Sequence, residues 1–328
     1  MMTINPDHWQ PAASIDNLRQ RAAIVAQIRA FFADRDVMEV DMPLMSQCAV
    51  SDPFIDTIET RYADYVGAES YPLYLQTSPE YAMKRLLAAG SGAIYQLGKA
   101  FRNGESGSRR HNPEFTMLEW YRPDFNDQVL MDEVEALVCP ILGFEAVERQ
   151  SYAQIFQQYL GFDPHSVALD QLVAKTRQYI DIDLNDDDRD TWLNLLMSHV
   201  IEPEMAKRNA VFVYDYPASQ AALAQVRVDP EGRPVAARFE LFVKGIELAN
   251  GYHELTDAEE QKRRLLSDQK IRSELGLPQR PLEMRLVNAL RAGIPDCAGV
   301  ALGVDRLIML ALGVASIQDV IAFPIERA

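Results

Sequence analysis

Apolar residues recur at helical spacing from Leu18 through Ala22, Val25, Ile28 and Phe32, and Ser14 stands where an N-cap belongs. The pattern predicts a helix from Ser14 to about Asp34. The period then drops to two in "VMEVDMP", a short strand stopped by Pro43. In "LYLQTSPEYAMKRLLAAG" a strand gives way to a helix, with Ser78 as cap, Pro79 at the first position and Gly90 as the stop. Two alternating segments, 93–103 and 114–121, enclose a polar, arginine-rich turn and read as a hairpin. Residues 126–208 read as mainly helical, with the acidic run "NDDDRD" as a solvated helix start. Alternation returns in "AVFVYDYP" and in "VAARFELFVKGIELANGYHEL". Helices follow over roughly 256–275 and 281–292, and "AGVALGVDRLIMLALG" closes the chain as an apolar strand running into a helix. Strands lie at both ends and helices between. The expected fold is α+β, an antiparallel-sheet domain with a helical insertion.

The hairpin carries Arg102, Glu105, Arg109, Arg110, His111 and Glu114 around its turn, more ionic groups than a turn requires. Either it is a solvated loop, or it handles a polyanion and a cation together. Arg102 and His111 could meet phosphate oxygens, a guanidinium offering a planar fork, and Phe115 could lie under a purine ring. Along the second arm Phe115, Met117, Glu119 and Tyr121 share one face, with Glu114, Thr116, Leu118 and Trp120 on the other. A carboxylate among apolar neighbours is costly unless it meets a cation.

A second constellation is "RFELFVKGIELANGYHEL". Alternation puts Glu240, Phe242 and Lys244 on one side, then Glu247, Ala249 and Gly251 beyond Gly245, so Glu240 and Glu247 flank a glycine bulge or turn. Two carboxylates there suit a hard cation such as Mg²⁺ that also bridges substrate phosphates. Asn250, Tyr252 and Glu254 follow at alternate positions, a row suited to an alkylammonium ion. A solvent-facing strand of alternating charge is the plain alternative. In the third stretch, "GVALGVDRLIML", Gly299 and Gly303 allow close backbone approach, and Arg306 stands where a strand meets a helix and could reach a nucleotide phosphate. His8, His165 and His199 are read as having no role.

Composition narrows the setting. At 328 residues, 48% hydrophobic and 24% charged, the chain can bury a sizeable core. No apolar run approaches the roughly 18 residues of a membrane span, and "MMTINPDHWQ" lacks the basic start and apolar middle of a signal peptide. Cys48, Cys139 and Cys297 are odd in number and far apart, suggesting neither a disulfide framework nor a zinc site. Cytoplasm is the expected compartment, with no membrane partner. A net charge of −16 argues against a tight hold on nucleic acid, whose binders neutralise phosphates with a basic face.

Taken in order, the three stretches resemble the three signature motifs of class II aminoacyl-tRNA synthetases. The helix and strand ending at Pro43 look like the first, the Arg102 hairpin the second and the Gly303-Asp305-Arg306 junction the third. Within the class, "TSPE", "HNPEFTMLEWY" and "ELANGYHEL" are similar to the lysyl type. The resemblance runs from about residue 14 to the end, implying a catalytic domain over 14–328, a mainly helical insertion over 126–208 and an N-terminal extension over 1–13. The core begins where an OB-fold anticodon domain would be expected. With the acidic charge, this resembles the truncated lysyl-synthetase paralogues that ligate lysine to elongation factor P.

That resemblance implies ATP as substrate, Mg²⁺, lysine or (R)-β-lysine as the amino acid, elongation factor P as acceptor, little tRNA binding and a homodimer. By motif position Arg102 and Arg306 would be catalytic. ATP would meet Arg102, Asn103, Gly104, Glu105, His111, Asn112, Phe115, Glu247, Leu248, Gly303 and Arg306, while Glu240 and Glu247 would place Mg²⁺. Ser78, Glu80, Glu119, Tyr121, Asn250, Tyr252, Glu254 and Ala301 would meet the amino acid. Where the family motif has Arg-x-Glu, Gly104 takes the glutamate position, and Glu105 is expected to supply the carboxylate after a one-residue slip. Lysyl-tRNA synthetases read Gly-x-Gly-x-Gly where this chain has Gly299-Val300-Ala301-Leu302-Gly303, so Ala301 adds a methyl on the face of its flanking glycines. Three rivals stay open: a truncated lysyl-tRNA synthetase acting on tRNA, an ammonia-dependent asparagine synthetase and a non-catalytic regulatory paralogue.

Overall fold

The computed structural model describes residues 9–104 and 108–328. The chain forms two compact units, one holding the chain up to Asp124 with Thr256–Asp296 and Ala301–Ala328, the other Phe125–Leu255 with Cys297–Val300.

The first unit opens with helix α1 (Ile15–Ala33), capped by the Ser14 hydroxyl, which accepts the Asn17 N–H at 3.1 Å. Strand β1 (Met38–Glu39) follows, then β2 (Met45–Ser46), β3 (Glu59–Tyr62) and β4 (Tyr71–Leu75), the last three forming a small sheet in the order β2-β4-β3. Helix α2 (Glu80–Ala88) starts one residue later than its cap signals predict, with the Ser78 hydroxyl accepting the Glu80 N–H at 3.0 Å. The hairpin is β5 (Ile94–Phe101) and β6 (Glu114–Pro123). Its register pairs Ala100 with Phe115, Gln96 with Glu119 and Ile94 with Tyr121, so the face assignment of the second arm holds. The opposite face is closed: Phe32 of α1 stacks on Tyr95 with ring centroids 4.3 Å apart and meets Trp120 edge-on at 5.3 Å.

In the second unit α3 (Asp127–Leu142) is capped by Asn126. Strand β7 (Glu148–Ser151) then interrupts the stretch expected to be mainly helical, because its backbone pairs in parallel with a later strand. Helices α4 (Tyr152–Leu160), α5 (Leu169–Tyr179), α6 (Arg189–Leu196) and α7 (Glu202–Met205) follow, α6 running through a π turn into α7. The acidic run does start a helix, with Asp188 capping α6. Strands β8 (Ala210–Pro217), β9 (Val226–Val228), β10 (Pro234–Val243) and β11 (Ile246–His253) build this unit's sheet in the order β11-β10-β8-β7, β9 pairing with β10. Its core gathers Tyr152, Phe156, Trp192 and Leu193 of the helices against Val211, Val213 and Phe242 of the sheet.

Helices α8 (Ala258–Glu274) and α9 (Met284–Ala292) return to the first unit, and α9 packs on α2. Strand β12 (Cys297–Gly303) has its first four residues in the second unit and its last three in the first, where α10 (Val304–Leu312) continues the chain. At that junction Asp305, buried, pairs with Arg21 of α1 at 2.7 Å and accepts the Thr116 N–H of β6 at 2.7 Å. Most pairings are antiparallel, as expected of the α+β fold; β1–β5 and β7–β8 are parallel. Among the described residues no helix is long and apolar enough to cross a membrane.

The β10–β11 turn is Lys244-Gly245, with φ of +49° and +72°, a two-residue turn whose twist matches the strands it joins. Deeper in the hairpin, Gly251 faces Phe239 so closely that a Cβ would fall well inside the ring's van der Waals contact. Gly251→Ala should therefore overpack the sheet and destabilise the protein by about 1–3 kcal/mol. Adding Phe239→Leu should restore most of the loss in urea unfolding. No recovery in the double variant would mean that Gly251 is needed for another reason.

Candidate functional site

On the first unit the other hairpin face carries Phe115 and Tyr121 at either end of Met117 and Glu119, with Phe115 half-buried and the other three buried. Arg102, at the mouth of the turn, places its guanidinium 5.2 Å from the Phe115 ring centroid. Across the turn His111 Nε2 lies 2.8 Å from Arg306 Nη2 of α10, and His111 Nδ1 meets the Ser108 hydroxyl at 2.8 Å. The structure thus brings Arg102, His111, Phe115 and Arg306 to one end of one unit. A ring nitrogen that accepts from Arg306 leaves both guanidiniums charged, an arrangement suited to phosphate oxygens. Asn112 is buried and commits its amide to the backbone, donating to the Glu114 carbonyl at 2.5 Å and accepting the Ile325 N–H at 3.0 Å, so it braces the end of the turn. Asn103 and Gly104 are exposed, and Gly303 has room for a Cβ at ordinary contact with Arg306. Glu105 and His8 lie outside the described residues.

Farther down the face Glu119 is 2% exposed. Its Oε2 takes a long hydrogen bond, 3.4 Å, from the Tyr121 hydroxyl, and its Oε1 is buried with no hydrogen-bond partner among the described residues. Burial above all, and then the charge of Glu80, push its carboxyl up to about 8; Ser78, Arg102 and Tyr121 favour the ionised form without offsetting this. Glu80 is itself held by the fully buried Lys84 ammonium at 2.6 Å, one helical turn on. Sequence reasoning missed Lys84, although its spacing of four from Glu80 was there to find.

On the second unit the bulge changes the expected faces. Glu240 pairs with Asn250 and Leu241 with Ala249, but Phe242 pairs with Glu247, leaving Leu248 as the extra residue. Pairs directly opposite share a face, so Glu247 joins Arg238, Glu240, Asn250 and Tyr252. It does not lie with Ala249 and Gly251, as unbroken alternation predicts. Leu248 is buried at 2% exposure. Glu240 accepts from Arg238 at 2.5 Å and from the Tyr216 hydroxyl at 2.7 Å, and Asn250 Oδ1 accepts from Arg238 Nε at 3.3 Å. Burial works against the Arg238 charge, but Glu240 outweighs it and keeps the guanidinium protonated. Arg238 was missed too, though it stands at the alternate position before Glu240. Glu254, 1% exposed, ends the row, its N–H donating to the Cys297 carbonyl at 2.9 Å. Glu247 is exposed. Among the described residues no three metal-ligating side chains cluster, but two carboxylates on one face fit a hard divalent ion that takes its other oxygens from a bound phosphate.

The Glu119 carboxyl yields a test in the free protein. Unfolded, it ionises near pH 4.3; folded, at about 8. Between those values the folded state holds a proton that the unfolded state has lost, so stability falls as pH rises through that window and levels above it. Glu119→Gln lacks the term. Urea unfolding from about pH 5 to about pH 9 should show wild type losing stability relative to Glu119→Gln. Parallel curves would mean that Glu119 is ionised throughout.

The tRNA synthetases class II family (D, K and N) matches residues 9–327. An elongation factor P–(R)-β-lysine ligase of Yersinia enterocolitica is 54% identical over 322 residues, 98% of each chain. The ligase of the same name from Pasteurella multocida is 52% identical over 98% of this chain and 99% of its own, and that of Salmonella paratyphi B 53% over 98% of each. An aromatic–arginine end of a hairpin, a buried acid below it and full-length likeness agree: the chain belongs to the class II aminoacyl-tRNA synthetase family, in the branch that includes the elongation factor P–(R)-β-lysine ligases.

Proposed function

We propose that the chain is an ATP-dependent ligase that activates lysine, as (R)-β-lysine, and transfers it to the ε-amino group of a lysine of elongation factor P in the cytoplasm. The observation that carries this reading is the buried Glu119 carboxyl, with an oxygen still unfilled, on the same hairpin face as Phe115. It calls for a cationic ligand. The aspartate carboxylate of an asparagine synthetase would add a third carboxyl to Glu80 and Glu119, and a regulatory paralogue would not be expected to keep Arg102, Glu240, Glu247 and Arg306 together.

In the proposed first step the lysine carboxylate attacks the α-phosphorus of ATP and pyrophosphate leaves, forming the aminoacyl-adenylate. The ε-amine of the acceptor lysine then attacks the activated carbonyl, and AMP leaves. The protein's part is positioning and charge. Arg102 and Arg306 are proposed to meet the phosphates, Phe115 to stack on adenine, and His111 to hold Arg306 in place, with the backbone at Asn103, Gly104, Leu248 and Gly303 beside the nucleotide. Ser78, Glu119 and Tyr121 take one amine of the substrate, with Glu80 and Lys84 setting the charge balance. An ammonium reaching Glu119 favours its ionised form, so binding below about pH 8 releases a proton. Asn250, Tyr252 and Glu254 take the other amine. Glu240 and Glu247 would hold Mg²⁺, which when bound neutralises charge on the phosphates.

Amino-acid-dependent exchange of pyrophosphate into ATP should run with lysine isomers and not with aspartate. Lysine should pass to elongation factor P and poorly to tRNA. Efficient charging of lysine tRNA at the same salt would instead make the protein a truncated synthetase. Glu247→Gln keeps shape and removes charge, so exchange should fall by on the order of a hundredfold at unchanged thermal stability; exchange near the wild-type rate would remove Glu247 from the metal site.

Ala301 is half-buried near the end of β12, while Val300 and Leu302 on either side are buried. Its methyl therefore faces the accessible side. β-Lysine carries its amine one carbon farther from the carboxylate than α-lysine. A single methyl can discriminate by about 1–3 kcal/mol. Ala301→Gly should raise kcat/KM for α-lysine relative to β-lysine in adenylate formation. An unchanged ratio in the folded variant would place isomer choice elsewhere, around Glu80 and Glu119.

A further inference from the structure

Arg272, on α8, and Arg280, in the loop after it, lie in the first unit against residues 52–57. Their side chains are 2% and 9% exposed. Both guanidiniums address the same oxygen: Arg280 Nη2 is 2.7 Å from Asp56 Oδ1, and Arg272 Nη2 is 3.8 Å from it. Their other hydrogen bonds go to carbonyls. Arg272 donates to Asp52 at 3.0 Å and to Pro278 at 3.2 Å, and Arg280 reaches Thr57 at 3.5 Å. Nearby carboxylates are engaged elsewhere: Asp52 accepts the Phe54 N–H at 2.7 Å and Asp268 the Ser51 hydroxyl at 2.7 Å. Among the described residues, three buried nitrogens, Arg272 Nη2 and Arg280 Nε and Nη1, have no hydrogen-bond partner.

Unfilled buried donors on two charged groups are expensive. Three such donors on two neighbouring guanidiniums that share one carboxylate oxygen leave more donor capacity than Asp56 can fill, and an added acceptor would fill it. Asp56, 41% exposed, marks the side open to solvent. A carboxylate ligand offers two oxygens and would repeat what Asp56 already provides. A tetrahedral oxyanion can fill donors on two separate forks at once. We propose that Arg272 and Arg280 form a binding site for a phosphate-class oxyanion, with Asp56 as the carboxylate that competes for it.

The site adjoins the hairpin. Asn103, the residue after Arg102, donates its backbone N–H to the Asp56 carbonyl at 2.9 Å and its side-chain amide to Asp56 Oδ2 at 2.6 Å. An oxyanion that draws Arg280 away from Asp56 alters the anchor of the turn that carries Arg102. The oxyanion has two sources, free phosphate or the phosphoryl tail of a nucleotide. The assignment of donors does not depend on the ligase reading.

The test uses the full chain, Arg280→Met and Asp56→Asn, with inorganic phosphate and ATP as probes in calorimetry and thermal unfolding. The two substitutions act in opposite directions, which separates a binding role from damage to the fold. If the source is free phosphate, it should stabilise ATP-saturated wild type. Its Kd should rise about tenfold or more in Arg280→Met and fall in Asp56→Asn. If the source is the nucleotide, phosphate should add nothing to ATP-saturated protein, and the same opposite shifts should appear in the ATP Kd. Unchanged affinities for both probes in both variants would overturn the site, as would weakening of both probes by both variants. A protein that binds phosphate with these shifts but no ATP would refute the ligase and leave this site standing.

Discussion

Much of the first unit hangs on the buried carboxylate of Asp305. Through Arg21 it holds the first helix, through the Thr116 N–H the second arm of the hairpin, and by its own position the junction of strand and helix. Arg21 completes the knot with the Thr116 hydroxyl at 2.8 Å and the Val320 carbonyl at 3.2 Å. Removing one member of a buried pair leaves the other uncompensated, at roughly 3–5 kcal/mol. Arg306 is the next residue, so the backbone that carries the group reaching His111 is fixed by its neighbour's anchorage. The three family motifs are far apart in sequence, and this knot is where they become one object.

The hairpin divides its labour by face. One side is a core of stacked rings under the first helix; the other keeps an aromatic, an acid and a phenol in a row. Burial and Glu80 raise the proton affinity of the acid, which lowers the cost of keeping it there. The second unit meets the same problem differently. Arg238 and Tyr216 both satisfy Glu240 and hold it in place. One carboxyl is accommodated by a raised proton affinity; the other is tied by its partners.

What the sequence showed follows from how local each signal is. The first helix, the hairpin's faces and the closing strand–helix junction were legible because period, cap and stop agree within a few residues. Strands of two to four residues such as Met45–Ser46 and Glu148–Ser151 were not, since their structure comes from partners distant along the chain. Arg238 and Lys84 were overlooked because each looks like a surface charge until burial is known. The face of Glu247 was misread for a deeper reason. No glycine or proline marks Leu248 as a bulge, and only the pairing with the neighbouring strand reveals it.

That extra residue turns a question of chemistry into one of parity. Between Glu247 and Asn250 lies an odd step, and an extended strand sends odd steps to opposite sides. One surplus residue cancels the mismatch. No point substitution can reproduce this, whereas inserting a second surplus residue between the two would send either the acid or the amide to the far side with every side chain intact. In this stretch the number of residues carries as much information as their identity, so an insertion is a graver change than any exchange of letters.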